Sequence, residues 1–331
     1  MIVRFLIVVA LLLVAVTGGI VHMFEVGEAP YVGPFQALTP AERVIEPHLR
    51  ENLEFFTMQI GARSLNRAGT LDKAAEEIEH RLRRMGYDPK AQEFTASGRA
   101  VHNIIVDHPT SRKSGKVVLV GTHYDSYRSS PGAHANGTAV VALLEIARIM
   151  KGKSVPFRLR FAFLVNGEQP YQGTRDSGAV NYAQFAEREG ENISFALLID
   201  SLGYFSDEPG SQHFPFPMSM GYPGEANFLT AFGAVDERET VRRFTEAWNR
   251  TCKFPLESGS LPFWFPGVPT GDHAAFSSQD IPALLLSDTG TYRHKDSGTR
   301  YDLHTRIDYP RLARVVKGIA DVIPSLAGVG R

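Results

Sequence analysis

The chain has 331 residues, of which 43% are hydrophobic, 10% aromatic and 21% charged. This length and apolar content suffice for one large α/β domain. A formal net charge of -1 supplies no basic field for a polyanion, so we expect no nucleic-acid partner. The single cysteine, Cys252, excludes an internal disulfide and a thiolate zinc cluster, so any metal would be bound by His, Asp and Glu side chains.

Residues 1–24 are predicted to form a membrane segment. An unbroken apolar run over residues 5–16 follows Arg4, and Ile20 and Val21 extend it beyond a short Thr-Gly-Gly interruption. The run alone has signal-peptide length, whereas the whole segment approaches the roughly 20 residues that span a bilayer. The small-residue cleavage site is weak, which favours an uncleaved signal anchor over a signal peptide or a buried core helix. Arg4 indicates a cytoplasmic amino end, so the rest of the chain is expected on the non-cytoplasmic side, periplasmic or extracellular.

A linker at residues 25–38 is expected to lead into one domain at residues 39–331. The domain opens with a strong helix signal, because Thr39 and Glu42 have capping-box spacing and Pro40 occupies the first helical position. Apolar residues at helical spacing predict a second helix over residues 71–85, which Gly86 would end.

Strands and helices then alternate along the chain. Apolar runs predict strands at residues 102–107, 116–123, 158–165, 194–200 and 281–286. Helices are predicted from residue 137 and at residues 177–188, 239–251 and 309–323. This alternation is typical of an α/β fold with a central, mostly parallel mixed sheet and helices on both faces. Residues 208–223, rich in Pro, Gly and Phe, are predicted to form a long loop.

Residues 117–150 are the most informative segment, and they read VVLVGTHYDSYRSSPGAHANGTAVVALLEIARIM. A predicted strand delivers His123 and Asp125 to its carboxyl end, a Pro-Gly turn follows, and an amphipathic helix begins near Gly137. Loops at this position carry the chemistry of many α/β proteins. The segment closely resembles the first zinc-binding loop of the co-catalytic zinc exopeptidases, metallopeptidase family twenty-eight, which includes leucyl-type aminopeptidases and glutaminyl cyclases.

Further blocks carry the same resemblance in the same order. They are LVNGEQPYQGTRDSGAVNYA from Leu164, IDSLG from Ile199, GDHAAF from Gly271 and the stretch at residues 292–309. Together they cover roughly residues 39–324. The resemblance therefore implies a zinc-exopeptidase-like α/β fold behind the N-terminal membrane segment.

The same resemblance implies a dizinc site, but several of its positions have changed. Three of the five expected metal ligands are present, as His123, Glu168 and Asp200. The Asp that bridges the two ions in the family is Ala135 here, and the last metal-binding His is Gly298.

The general base of the family is missing as well. In the gapless alignment it corresponds to Gly167, and Glu168 is then the retained ligand. A shift by one residue would make Glu168 the base and Gln169 the ligand, but it would misplace Pro170. Either way one carboxylate is lost, and general acid–base help is worth about 10²–10⁴-fold in rate.

Other polar residues of the family frame are retained. Asp125 is implied to orient His123 by accepting a hydrogen bond from its distal ring nitrogen. Asp272 and His273 are expected to line or support the cleft, where His273 would be either a structural residue or a substrate contact.

Four nearby residues could rebuild a site for one metal. His134 is next to the lost bridge, His294 lies four residues before the lost His, and Asp302 and His304 follow it. Any of these could join His123 and Asp200 around one ion. The alternative for each histidine is a solvent-exposed loop residue.

Two hypotheses follow for the function. The first is an exported, membrane-anchored aminopeptidase-fold domain with a degraded dizinc site, which binds a peptide or protein partner with weak or no catalysis. The second is an active zinc-dependent aminopeptidase with a rebuilt single-metal site. The remaining ligands predict at most one zinc ion per chain, or none.

Overall fold

The computed structural model describes residue 7 and residues 18–19, 23–24, 26–109, 115–266, 268 and 271–330. Within this part of the chain, eight strands form one mixed sheet in the order β1-β2-β4-β3-β5-β8-β6-β7. The strands are β1 Lys90–Ala96, β2 Arg99–Asp107, β3 Val117–His123, β4 Arg158–Leu164, β5 Ile193–Asp200, β6 Leu229–Gly233, β7 Leu256–Ser260 and β8 Ala283–Ser287. Four neighbours in the middle, β4, β3, β5 and β8, run parallel. Their carboxyl ends therefore meet at one edge of the sheet.

Seven α-helices of the described residues cover this sheet. They are α1 Pro40–Glu54, α2 Ala68–Arg84, α3 Thr138–Met150, α4 Gly178–Arg188, α5 Arg238–Thr251, α6 His273–Ser277 and α7 Tyr309–Val322. The predicted capping box is present at α1, where the backbone N–H of Glu42 donates to Thr39 Oγ1 and that of Thr39 donates to Glu42 Oε2. Gly86 follows α2 with a φ of +87°, a left-handed conformation that glycine adopts without strain.

The sheet is buried on both faces, which explains its continuous apolar strands. Along β3, Val118 and Val120 enter a large core under helices α1, α2, α3, α5 and α7. Val117 and Leu119 point to the opposite face, where a smaller core lies under α4 and α6. The predicted mixed α/β architecture is thus confirmed. The strands β1, β6 and β7 were not predicted.

The N-terminal prediction falls largely outside the described residues. In the part of the chain that the structure describes, no helix is long and apolar enough to cross a membrane. Most of residues 1–24 lie beyond that part. Residues 26–38 have no regular secondary structure.

Candidate functional site

The carboxyl edge of the parallel strands brings the first set of predicted residues together. His123 ends β3 and Asp200 ends β5, and His123 Nε2 lies 3.7 Å from Asp200 Oδ1. The other ring nitrogen, Nδ1, lies 3.1 Å from Asp125 Oδ1. Burial lowers the pKa of His123, but the two carboxylates outweigh burial and raise the pKa well above its ordinary value. Asp200 is the accessible member, with 26% of its side chain exposed.

Asp125 also fixes the loop that follows β4. Its Oδ1 accepts the backbone N–H of Gly167 at 2.8 Å, and its Oδ2 accepts that of Glu168 at 3.1 Å. One buried carboxylate thus contacts both His123 and the Gly167–Glu168 backbone. The contact that the predicted orienting role of Asp125 requires is present, and the role itself stays a prediction.

Gly167 packs directly against the imidazole of His123. A Cβ atom at residue 167 would lie 2.3 Å from His123 Cγ, far inside van der Waals contact. A side chain at this position would therefore displace His123 from its place between Asp125 and Asp200. The packing around His123 therefore requires glycine at residue 167, where the sequence predicted the loss of the general base.

The remaining cleft residues are two acids, Glu168 and Asp272, and a histidine, His273, whose ring has no hydrogen-bond partner among the described residues. Burial raises the pKa of Glu168 to about 8, with His123 opposing and Asp200 adding to the shift, and burial raises the pKa of Asp272 to about 7. His273 is fully buried beside the ring of Phe263, and neither ring nitrogen has a hydrogen-bond partner among the described residues. Burial lowers its pKa to about 4, so His273 is neutral near pH 7. These residues place four carboxyl groups around His123, because Asp125 and Asp200 complete the set.

The two positions that lack their metal ligands share one structural partner. Asp302 Oδ2 accepts the backbone N–H of Ala135 at 3.1 Å and that of Gly298 at 3.0 Å. Its Oδ1 accepts the backbone N–H of His134 at 2.7 Å. We call His123 and Asp200 the first half-site, and Ala135, Glu168 and Gly298, the other positions that the resemblance assigns to metal binding, the second half-site. The Asp302 carboxylate holds the backbone at Ala135 and Gly298, and neither residue offers a ligand side chain.

His134 does not point to solvent, so the exposed-loop alternative was wrong for this residue. It is fully buried, its Nε2 lies 2.9 Å from Asp288 Oδ2, and its Nδ1 lies 2.9 Å from Ser297 Oγ. Burial lowers the pKa of His134, but the Asp288 carboxylate outweighs burial and raises it. Both ring nitrogens of His134 are thus engaged by side chains of the protein.

Ser297, His134 and Asp288 form a hydrogen-bonded chain of the type that activates a nucleophilic hydroxyl. A general base must reach the proton that the substrate gains or loses, and His134 has no exposed surface. The chain is therefore a structural network in this conformation.

His294 is also buried, with 2% exposure, so the exposed-loop alternative was wrong here too. Its ring stacks on Tyr204 at 4.1 Å between centroids and meets the edge of His134 at 5.1 Å. Burial lowers its pKa to about 4, so the His294 ring is neutral near pH 7. The two histidines and Tyr204 together fill the second half-site with rings.

Two residues of the site were missed by the sequence reasoning. Asp288 follows directly after β8, one residue beyond Ser287, which pairs with Asp200 at the end of β5. An acidic residue at the carboxyl end of a second parallel strand was the available signal. Arg63 is fully buried, and its guanidinium donates to the backbone oxygens of Tyr124, Pro131 and Gly132 at 2.8–3.0 Å. It thereby ties the loop after β3 to the turn that leads into Ala135.

The donor set fits a dizinc site poorly. Two atoms that bind one zinc at about 2.0–2.1 Å each lie within about 4 Å of each other, so His123 Nε2 and Asp200 Oδ1 could share an ion. Among the described residues, however, no group of three or more His, Cys, Asp or Glu side chains has the arrangement of a metal site. In the second half-site only Glu168 remains of the expected ligands. His134 does not replace a lost ligand in this conformation, because both of its ring nitrogens are hydrogen-bonded to Ser297 and Asp288.

Comparison with known protein families identifies the family of this chain. The model of peptidase family M28 matches residues 103–323, more than half of the chain. The chain belongs to peptidase family M28. The matched region contains the sheet edge with His123, Glu168 and Asp200 and the rearranged positions Ala135 and Gly298.

Relatives of this M28 chain occur in bacteria and in mammals. YfbL of Escherichia coli K12, described as uncharacterized, is 27% identical over 297 residues, covering 87% of this chain and 90% of YfbL. The mouse BOS complex subunit NCLN is 24% identical over 272 residues, covering 76% of this chain but only 45% of NCLN. The chain thus matches less than half the length of NCLN.

Solved structures support the same fold. The zinc aminopeptidase BSAP of Bacillus subtilis superposes with a TM-score of 0.65 at 15% identity, covering 84% of this chain and 94% of BSAP. At this identity the likeness shows the fold alone. This M28 chain therefore has the aminopeptidase architecture.

Proposed function

We propose that this M28 chain is a partner-binding protein that has exchanged dizinc hydrolysis for recognition of a peptide or protein. The observation that carries the proposal is the second half-site, where Asp302 binds the backbone of Ala135 and Gly298 and neither residue supplies a ligand. The buried ring of His134, hydrogen-bonded to Asp288, lies at the same place. Two metal ions would need a bridging carboxylate, which Ala135 cannot supply.

The accessible part of the cleft indicates the chemistry of the partner. The carboxyl groups of Asp200 and Glu168 are partly exposed, whereas those of Asp125 and Asp272 are buried. Asp125 and Asp200 outnumber the single imidazole of His123, whereas burial keeps Glu168 mostly protonated near pH 7, so the negative charge that remains favours a cationic group. The free α-ammonium of a peptide is small enough to approach the half-buried carboxylate of Asp200. NCLN, a relative, is a subunit of the BOS complex, which also supports a role in protein association.

We also propose that the domain is held at a membrane on its non-cytoplasmic side. The support is the sequence of residues 1–24, with its apolar run behind Arg4. A membrane-bound subunit without hydrolytic activity would use the cleft to hold the end of a partner chain.

The second candidate is an aminopeptidase with a single zinc ion. The 3.7 Å separation of His123 Nε2 and Asp200 Oδ1 favours it, because both atoms could bind one ion. Its weakness is the missing base, since Gly167 carries no side chain and cannot gain one without moving His123.

Both candidates are tested on the full chain purified in detergent. The protein is equilibrated with micromolar zinc, desalted, and analysed for zinc content, turnover of aminoacyl and N-terminal glutaminyl substrates, and binding of labelled peptides. We expect less than one zinc per chain, no turnover, and peptide binding that is lost on N-acetylation of the peptide and in Asp200→Asn. Glu93→Gln, an exposed change on the edge strand β1, should bind as the wild type does. Zinc-dependent turnover that disappears in His123→Ala would overturn the proposal in favour of the single-zinc enzyme.

A further inference from the structure

Three large apolar side chains are strongly exposed on two neighbouring loops. Phe216 is 75% exposed, Met220 77% and Trp264 80%. Phe216 and Met220 line one cavity of about 670 Å³, and the ring of Trp264 lies 6.3 Å from that of Phe265. We call Phe216, Met220 and Trp264 the apolar surface. Scattered exposed apolar residues need no explanation, whereas a group of them in one place marks an interaction site.

Phe24 connects the two loops that carry the apolar surface. Its ring lies 5.9 Å from Phe265, the neighbour of Trp264, and 5.2 Å from Tyr222. It also covers Gly221, next to Met220, where a Cβ atom would lie 2.8 Å from the Phe24 ring. The chain therefore enters the domain in the middle of this surface.

The entry point is fixed by contacts with the far edge of the sheet. Ser258 Oγ, on β7, donates to the backbone oxygen of Val26 at 2.6 Å. Asn249 Nδ2, on α5, donates to the backbone oxygen of Ala29 at 3.1 Å. Gly27 packs on Thr245 with a φ of +87°, a conformation that favours glycine. Residues 26–29 thus have a defined position on the domain.

The length of chain between the apolar segment and the domain limits their separation. Val21 is the last residue of that apolar stretch, and three residues later Phe24 is packed on the domain. Three residues span at most about 10 Å. A bilayer that holds the apolar residues up to Val21 would therefore begin within about 10 Å of Phe24 and of the exposed side chains around it.

The chemistry of the surface matches the bilayer interface. Trp and other aromatic side chains are enriched where hydrocarbon meets the head groups. The charged residues that line the cavity are Glu28 and Glu257, so attraction to anionic lipid has no basis here. We propose that Phe216, Met220 and Trp264 insert into the interface of the membrane, so that the domain docks on the bilayer through an apolar contact. This inference rests on the anchoring proposed above and is independent of the chemistry of the cleft.

The two tryptophans of the chain provide the readout. Trp264 is 80% exposed and Trp248 is fully buried, so only Trp264 can respond to lipid. The full chain is reconstituted into phosphatidylcholine vesicles that contain either ordinary lipid or lipid brominated near the head group, and vesicle association is checked by flotation. We expect bromolipid to quench the fluorescence, and Trp264→Phe to abolish the quenching while the protein still floats. Adding anionic lipid or raising the salt concentration should leave the quenching unchanged.

A paired substitution tests whether the surface itself makes the contact. Phe216→Ser with Met220→Ser should reduce the quenching of Trp264 at least twofold. Met58→Ser removes another exposed methionine, 61% accessible and on the turn after α1, and should leave the quenching unchanged. Circular dichroism establishes that each variant is folded.

The outcomes separate the surface from the anchor. Flotation without quenching would overturn the docking surface and leave the anchor standing. Failure to float would overturn both. Quenching that appears only with anionic lipid would show an electrostatic contact and would equally overturn the apolar docking proposed here. Protection of Trp264 by self-association, seen as a concentration-dependent dimer in detergent, would assign the surface to a second copy of the chain and overturn the lipid contact.

Discussion

Replacement of Asp302 tests the idea that a carboxylate holds the second half-site together. Asp302 is fully buried and accepts three backbone N–H groups, from His134, Ala135 and Gly298. A hydrogen bond to a charged group is worth about 1.5–3 kcal/mol, and a buried donor left without a partner costs about 1–3 kcal/mol. Such contributions do not add fully within one network.

For Asp302→Ala we therefore expect the free energy of unfolding to fall by about 3–5 kcal/mol, the range for loss of one member of a buried charged network. Asp302→Asn keeps the shape. Its amide oxygen can take the place of Oδ2, and its nitrogen then faces the N–H of His134, so we expect a smaller loss of about 1.5–3 kcal/mol.

Thermal unfolding and hydrogen exchange measure the two parts of this prediction. For a chain of this size, 1 kcal/mol corresponds to about 2 °C in Tm, so Asp302→Ala should lower Tm by roughly 6–10 °C. Amide exchange should accelerate at residues 133–138 and 297–299. Asp296→Asn is the matched control, because Asp296 holds Thr299 through its backbone oxygen. A Tm within 2 °C of the wild type for Asp302→Ala, or unchanged exchange in both segments, would refute the reasoning.

Three other changes test separate contacts. Gly167→Ala should cost about 1–3 kcal/mol of stability by overpacking, since the added methyl group would meet the His123 ring, and urea unfolding measures the loss. Burial raises the pKa of Glu257 from 4.5 to about 7, so the folded state binds its proton more tightly and the wild type loses stability as the pH rises between these values. Glu257→Gln should therefore gain in Tm relative to the wild type from about pH 4.5 to about pH 7. Arg314→Met should cost about 3–5 kcal/mol in urea unfolding, because it leaves the Glu42 carboxylate buried without its partner at 2.6 Å.

Each of these changes has a control elsewhere on the surface. Gly224→Ala adds a methyl group where nothing lies within 4 Å, and a loss equal to that of Gly167→Ala would remove the packing argument. Glu225→Gln removes a carboxyl group from a partly exposed bend and is the control for Glu257→Gln. Arg242→Met breaks an exposed ion pair, which is typically worth about 0–1 kcal/mol. A similar cost for Arg242→Met and Arg314→Met would contradict the assigned role of burial.

The central strands could be predicted because their environment is simple. β3, β4 and β5 are buried on both faces, so each is a continuous apolar run. β1 is an edge strand with the sequence KAQEFTA and mostly exposed side chains, and its pairing with β2 leaves little trace in composition. β7, LESGS, carries Gly and Ser that are typical of loops, and its partner β6 is only five residues long. Both become strands because tertiary packing outweighs weak local preference.

The proximity of site residues could be predicted where both lie at the ends of neighbouring strands. It could not be predicted where distant loops meet. His123 and Asp200 lie at strand ends, and the sheet alone brings them together. The environment of His134 depends instead on Asp288 and Ser297, more than 150 residues away in the chain. Sequence spacing therefore suggested an exposed loop histidine, whereas the fold supplies two buried partners.

The two half-sites differ in access, and this difference limits what the protein can bind. The second half-site is closed by His134 and His294, which are 0% and 2% exposed, and its backbone is fixed by Asp302. The first keeps a partly exposed carboxylate on Asp200. We therefore expect a ligand to approach from the side of Asp200. There a cationic group would gain attraction, whereas an acetylated terminus would bury an amide against carboxylates. Loss of binding on N-acetylation thus tests this asymmetry directly, and equal binding of free and acetylated peptides would mean that the partner contacts a surface outside the cleft.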